Sequence, residues 1–394
     1  MTSDVIYLDH AATTPLRPEA RAEMEPFLGR DFGNPSALYG LARRSSEAID
    51  SARASIAKVL GCRPADIVLT SGGTESNNEA IKGVSLAQQL AGSGRHVITS
   101  RVEHHAVLHS CEFLEKFGFE ITYLDVDRDG FIDLDDLGRA LRPDTVLVTI
   151  MLANNEVGTI QPIAEAARIV REASARLGKT IPFHTDAVQA AGYLDLDVGD
   201  LGVDMLSLSA HKFGGPKGAG ILFIRRRVPF LPLLSGGGQE RRRRAGTEDV
   251  AGIVGAAIAL EASERERPAA GAHAATLRDR LVHAVPRAVQ GAELNGHPAM
   301  RLPNNTNFSF PGVEGDALVA ALDQAGFAVG SGSACGSGSW EPSHVLLAMG
   351  VSLERAAGAL RITVGRDTTP GDIEALLDHL PNVVARVRAE LVPA

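Results

Sequence analysis

The chain has 394 residues, of which 44% are hydrophobic and 22% charged, with a formal net charge of −9. That length exceeds what a single hydrophobic core sustains, so two domains are expected. The acidic balance excludes a binder held to nucleic acid or membrane by its net charge, and three cysteines are too few for a disulfide framework.

Residues 1–15 lack the apolar core of a secretory signal, and no later stretch runs uncharged far enough to span a bilayer, which predicts a cytoplasmic protein without membrane contact. From residue 67 onward, β-branched and apolar runs alternate with helical patterns. Strands are predicted at 67–69, 96–99, 120–124, 145–150, 181–184, 203–208 and 220–224, and helices at 75–90, 106–117 and 163–177. This alternation predicts an α/β fold whose mostly parallel seven-stranded sheet is covered by helices. After Leu260 a charged run, 261–268, and an alanine-rich helix replace the alternation. A smaller α+β unit follows, with strands at 307–310 and 359–364 and helices at 314–325 and 373–391. The expected division is a large domain, 15–260, and a small domain built from 1–14 and 261–394.

Chemistry-bearing residues sit at the ends of the predicted strands. The first strand runs into Thr70-Ser71-Gly72-Gly73-Thr74, where backbone N–H groups at a helix start and the Thr74 hydroxyl suit an anion, as they also suit a plain helix cap. Glu103-His104-His105 follows the second, and one of its imidazoles is suited to lie on a flat ring and to move protons near neutral pH. Asn154-Asn155-Glu156 closes the fourth. Asp186 ends the fifth, on the rim where α/β sheets bind ligands; it suits a pyridine nitrogen or a helix cap, with Gln189 three residues on.

The sixth strand delivers Lys212 into the glycine turn Ser209-Ala210-His211-Lys212-Phe213-Gly214-Gly215, which presents an amine to a phosphorylated aldehyde and predicts a Schiff base with pyridoxal 5'-phosphate (PLP). Arg361 is a charge within an apolar strand and needs an anion, either a substrate carboxylate or a structural partner. Cys62 and Cys111 read as packing residues, whereas Cys335 lies in a Gly/Ser run with almost no apolar anchor.

The run Tyr7-Leu8-Asp9-His10-Ala11-Ala12-Thr13-Thr14-Pro15, the 71–77 turn, His104, Asn154-Asn155-Glu156-Val157-Gly158, the 186–189 run, Ser209-Ala210-His211-Lys212 and Gly332-Ser333-Ala334-Cys335 together resemble the cysteine desulfurases. These are class V, fold-type I PLP-dependent enzymes, and the motifs occur in order over nearly the whole chain. The passage from Cys335 into Trp340-Glu341-Pro342-Ser343 is similar to the branch with a long cysteine loop.

The resemblance implies that Lys212 holds PLP, that Asp186 and Gln189 contact its pyridine ring and that His104 stacks on the ring. Gly73, Thr74, Ser209 and His211 would hold the phosphate, joined by Thr247 from the other subunit of a homodimer. Asn155 would contact the cofactor and, with Arg361 and Asn34, position L-cysteine. Cys335, on a mobile loop at about 330–342, would take the sulfur as a persulfide, leaving L-alanine. It would pass the sulfur to an acceptor such as an iron–sulfur scaffold or a tRNA-thiolation carrier. A selenocysteine lyase is the alternative on the same scaffold. Two departures stand out: Gln239, where some members carry histidine, and the strongly basic Arg241-Arg242-Arg243-Arg244.

Other readings are weaker. Residues 125–136 imitate a calcium loop, but a strand precedes them and Asp136 stands where a bidentate glutamate belongs. His104, His105 and His109 with Glu103 lack the spacing of a zinc site, so no metal is expected. The arginine runs at 225–227 and 241–244 have no interleaved aromatics to stack on bases, so direct nucleic-acid binding is not expected.

Overall fold

The computed structural model describes residues 5–332 and 342–391. Its strands are β1 (Ile6–Tyr7), β2 (Ile67–Thr70), β3 (His96–Ser100), β4 (Glu120–Leu124), β5 (Thr145–Thr149), β6 (Phe183–Asp186), β7 (Met205–Ser209), β8 (Gly220–Ile224), β9 (Glu293–Leu294), β10 (Asn305–Ser309), β11 (Phe327–Ala328) and β12 (Ala359–Thr363). Seven of them form one sheet in the order β2-β8-β7-β6-β5-β3-β4. Only β8 runs antiparallel to its neighbours there, so the other six point the same way, as the alternating pattern predicts. Runs such as Thr145-Val146-Leu147-Val148-Thr149 are buried along their whole length because helices cover both faces.

Among the differences from the sequence pattern, two lie next to the cavity. The strand expected at 181–184 begins at Phe183, since Pro182 has no N–H for the ladder, although its carbonyl still accepts from Val148 N. At its other end the strand pairs with β7 as far as Asp186, its last residue. The helix expected at 75–90 begins at Gly73 and passes through a π turn, Glu79–Gly83, before continuing as Val84–Leu90.

One 39-residue helix, Val250–Ala288, runs straight through the change in composition after Leu260. Its first part, including Ile253, Ala257 and Leu260, packs into the core of the large sheet. Its later part, including Leu277, Leu281 and Val285, packs into a second core with Phe308, Leu360 and Leu380. That second core lies on the antiparallel sheet β12-β10-β9 and the helices Gly315–Gln324 and Pro370–Leu391. No helix among the described residues is long and apolar enough to cross a membrane.

The N-terminal segment joins the two regions. β1 pairs with β11, and Leu8 exchanges backbone hydrogen bonds with Ala328 and Thr363. Six residues on, Thr14 donates to the carbonyl of His211 through both its N–H (2.9 Å) and its hydroxyl (2.8 Å). This strap lies across the edge toward which the six parallel strands point.

Candidate active site

Loops at the C-terminal ends of those strands enclose a cavity of about 1120 Å³. The turn after β2 packs so tightly that a Cβ on Gly73 would come within 2.7 Å of Val188 Cγ2 and 3.3 Å of Ser209 Cβ. Glycine lets the backbone lie this close, with helix-start N–H groups available to an anion. Thr74, Ser209 and His211 line the same cavity. Burial, with the charges of Lys212 and Lys217, pushes the His211 imidazole down to about 4, so it is neutral.

Lys212 ends the short 3₁₀ turn after β7, and its Nζ donates to the carbonyls of Ala11 (2.6 Å) and Ala12 (2.8 Å) in the strap. Burial first, then the Arg361 charge, lowers its pKa to about 8 against the pull of Asp9 and Asp186. An amine poised there is an available nucleophile for a carbonyl near neutral pH.

Asp186 is buried, and its carboxylate is oriented by two donors: Asn77 Nδ2 to Oδ2 at 2.6 Å and Val188 N to Oδ1 at 2.9 Å. His104 caps the helix His105–Glu115, its Nδ1 accepting from Ala106 N at 3.0 Å. In the neutral ring the proton then sits on Nε2. Burial lowers the His104 pKa, helped by Lys212 and His105 and opposed by Asp186. Gln189 lines the cavity too, donating to Ala11 O at 3.0 Å.

Arg361 projects from β12. Its Nη1 donates to Asn155 O at 2.9 Å and its Nη2 to Asp9 Oδ1 at 2.8 Å, so it does have the structural partner that was one of its two readings. Yet Arg361 Nε and Asn155 Oδ1 are buried without a hydrogen-bond partner among the described residues, and both residues line the cavity. Orphaned polar groups of this kind are costly unless a ligand meets them.

Three further residues escaped the sequence reading as individuals. Asn77, one turn into the helix after Gly73, orients Asp186. Asp9, just beyond β1, pairs with an arginine that only the fold brings near. Glu156 also lines the cavity; burial raises its carboxyl to about 7, although Ser343 donates to it and Arg361 lies near. The signal for each was a polar residue inside a recognised motif.

Asn34 and Thr247 are not brought to this cavity within the chain. Both are exposed, and Asn34 Oδ1 accepts from Ser36 N at 2.9 Å in a local turn. Cys335 lies outside the described residues, but Gly332 on one side of its run and His344 on the other both line the cavity. In the calcium-like run, Asp127 accepts from the backbone of Asp129 and Phe131, and Asp133 caps the helix that follows.

A glycine cradle, a buried amine, an oriented carboxylate and a flat neutral imidazole fit PLP. The comparisons agree. The model of the family "Aminotransferase class-V" matches residues 6–376. A cysteine desulfurase IscS from Dictyoglomus turgidum is 51% identical over 97% of this chain and 95% of its own length. Among solved structures, a NifS-like protein is 38% identical with a TM-score of 0.89, covering 97% of this chain and 100% of its own. Another, described as SspA in complex with cysteine, is 37% identical with a TM-score of 0.80, covering 91% and 98%. These relatives favour a desulfurase over the selenocysteine lyase alternative. The chain belongs to the PLP-dependent cysteine desulfurases of the class-V aminotransferase family.

Proposed function

We propose that this chain converts L-cysteine to L-alanine and passes the sulfur, as a persulfide on Cys335, to an acceptor protein. The observation that carries the reading is Lys212, a buried amine lowered to about 8 in the same cavity as Asp186 and Arg361. The structural neighbour described with cysteine supports the choice of substrate.

Bound PLP supplies an electron sink for negative charge at the substrate Cα. Gly73, Thr74, Ser209 and His211 would hold its phosphate. Asp186, oriented by Asn77, would keep the pyridine nitrogen protonated, and Gln189 and His104 would contact the ring. Arg361 and Asn155 grip the substrate carboxylate and fix which bond lies toward Lys212. The neutral Lys212 Nζ takes the Cα proton, and His104 assists proton transfer through Nε2–H. The Cys335 thiolate forms an S–S bond to the substrate sulfur as the Cβ–S bond breaks. That electron pair returns to carbon, which is protonated on the way to alanine.

A homodimer accounts for Asn34 and Thr247, which would serve a second copy's site. Exposed Phe32, Leu38 and Tyr39 around Asn34, with Leu231, Leu233 and Leu234 ahead of Thr247, support that surface. The working division is 15–260 for the large domain and 1–14 with 261–394 for the small one. The setting is the cytoplasm, and the acceptor is an iron–sulfur scaffold or a tRNA-thiolation carrier.

The test is mass spectrometry of the protein after incubation with cysteine. One added sulfur on the Cys335 peptide, with alanine formed, is expected. Sulfur transfer at the parent rate by Cys335→Ser refutes the role of the thiol.

A further inference from the structure

β2 is the terminal strand of the sheet, so its outer edge has no neighbouring strand. Ile67 and Leu69 face that edge, and two side chains close it. Arg53 Nη1 donates to Ile67 O at 3.0 Å, and Glu240 Oε2 accepts from Leu69 N at 2.9 Å. The two caps are joined: Arg53 Nη1 and Nη2 donate to Glu240 Oε2 and Oε1 at 2.7 and 2.6 Å, and both residues are buried. Two residues further, the pattern enters the phosphate turn. Ser71 N donates to Glu75 Oε2 at 2.7 Å, and Arg244 Nε donates to Glu75 Oε1 at 2.9 Å. A row of side chains thus stands where an eighth strand would lie, and it runs into the glycine cradle.

Glu240 and Arg244 belong to one short segment whose backbone is bent to deliver them. Glu240, Arg241 and Arg242 have φ of 46°, 58° and 64°, the left-handed region that residues with a Cβ avoid, three times in succession. Such a conformation persists only where its surroundings over-determine it. The buried ion pair at Arg53 and the pair at Glu75 supply that determination. On its inner side the turn has no slack either, because Gly73 already lies against Val188 and Ser209.

We propose that Glu240 and Arg244 are positioning residues for the cofactor phosphate, acting through the edge of β2 and the 71–73 turn. The proposal rests on the PLP reading above. It assigns a role to part of the basic run that the chemistry of the cavity leaves unused: Arg244 braces the cradle from behind.

The test uses the full chain freed of cofactor, titrated with PLP and with pyridoxal, which lacks the phosphate. Glu240→Gln and Arg244→Gln are each expected to weaken PLP binding by about tenfold, the loss of one charge-assisted hydrogen bond, with pyridoxal binding unchanged. The ³¹P resonance of PLP reloaded into either variant is expected to shift from the parent position. Unchanged PLP affinity, or equal losses for PLP and pyridoxal, overturns the proposal. Glu240→Gln leaves Arg53 buried without its charge partner, so if that variant does not fold, Arg244→Gln at the half-buried pair decides. Failure of the parent chain to bind PLP overturns the functional reading, and this inference with it, a result visible before any variant is made.

Discussion

Asn77 donates its side-chain amide to Asp186 Oδ2 at 2.6 Å across a gap of 109 residues in sequence. With Val188 N on the other oxygen, the carboxylate is fixed in orientation at the end of β6. Asn77→Ala is expected to lower the rate of alanine formation about tenfold while PLP remains bound, since a hydrogen bond to a charged group is lost where charge is being managed. Steady-state rates on fully loaded enzyme check this. An unaltered rate shows that Val188 alone orients Asp186.

Lys212 carries a pH signature. Its pKa of about 8 in the folded, cofactor-free chain lies below the ordinary 10.5, so between those values the unfolded chain binds more protons than the native one. The contribution of this group to stability therefore rises with pH across that window and is a constant penalty below it. Acylation of Lys212, read on its peptide by mass spectrometry, is expected to increase with a midpoint near pH 8. Asp9→Asn removes an anion that raises this pKa and is expected to move the midpoint lower.

Arg361 divides its guanidinium between Asn155 O and Asp9 Oδ1, leaving Nε buried without a partner among the described residues, and the residue lines the cavity. Lysine offers one compact ammonium and cannot reproduce that fork. Arg361→Lys is expected to raise the KM for cysteine roughly tenfold or more, with a smaller change in kcat. A KM equal to the parent's shows that Arg361 serves only Asp9 and Asn155 O.

Ser343 does two things at once: its hydroxyl donates to Glu156 and accepts from Leu346 N as a helix cap. Ser343→Ala is expected to cost about 1–2 kcal/mol in chemical unfolding. Glu156 also predicts a slope. Burial places its pKa at about 7, above the ordinary 4.5, so the native state keeps the proton longer and this group's contribution to stability falls as pH rises from 4.5 to 7. Glu156→Gln is expected to flatten that part of the stability curve.

Much of this was legible in the chain because strand ends and chemistry coincide. Lys212 stands out because an apolar run enters a glycine turn, and β-branched segments announce the strands of the sheet. What escaped is pairing over distance. Arg361 with Asp9 and Arg53 with Glu240 leave no local pattern, since the fold alone makes them neighbours. Asp186 shows a local subtlety: the strand continues two residues past His184 because it pairs with β7 as far as Asp186 and Ser207. The change in composition after Leu260 falls where the long helix keeps its conformation while its apolar side passes from one core to the other. Asn34 and Thr247 are named by motif, yet among the described residues neither lines the cavity of its own chain.

The strap has a consequence for biosynthesis. The reactive amine is held by carbonyls of residues 11 and 12, while residue 8 is stitched to Ala328 and Thr363, more than 300 positions later in the chain. A ribosome-bound chain that has already made every strand of the large sheet still lacks the anchors that fix its own beginning. The opening strand of the chain is therefore fixed by partners made long after Lys212, while Thr14 can already bond to His211 once the large sheet is complete.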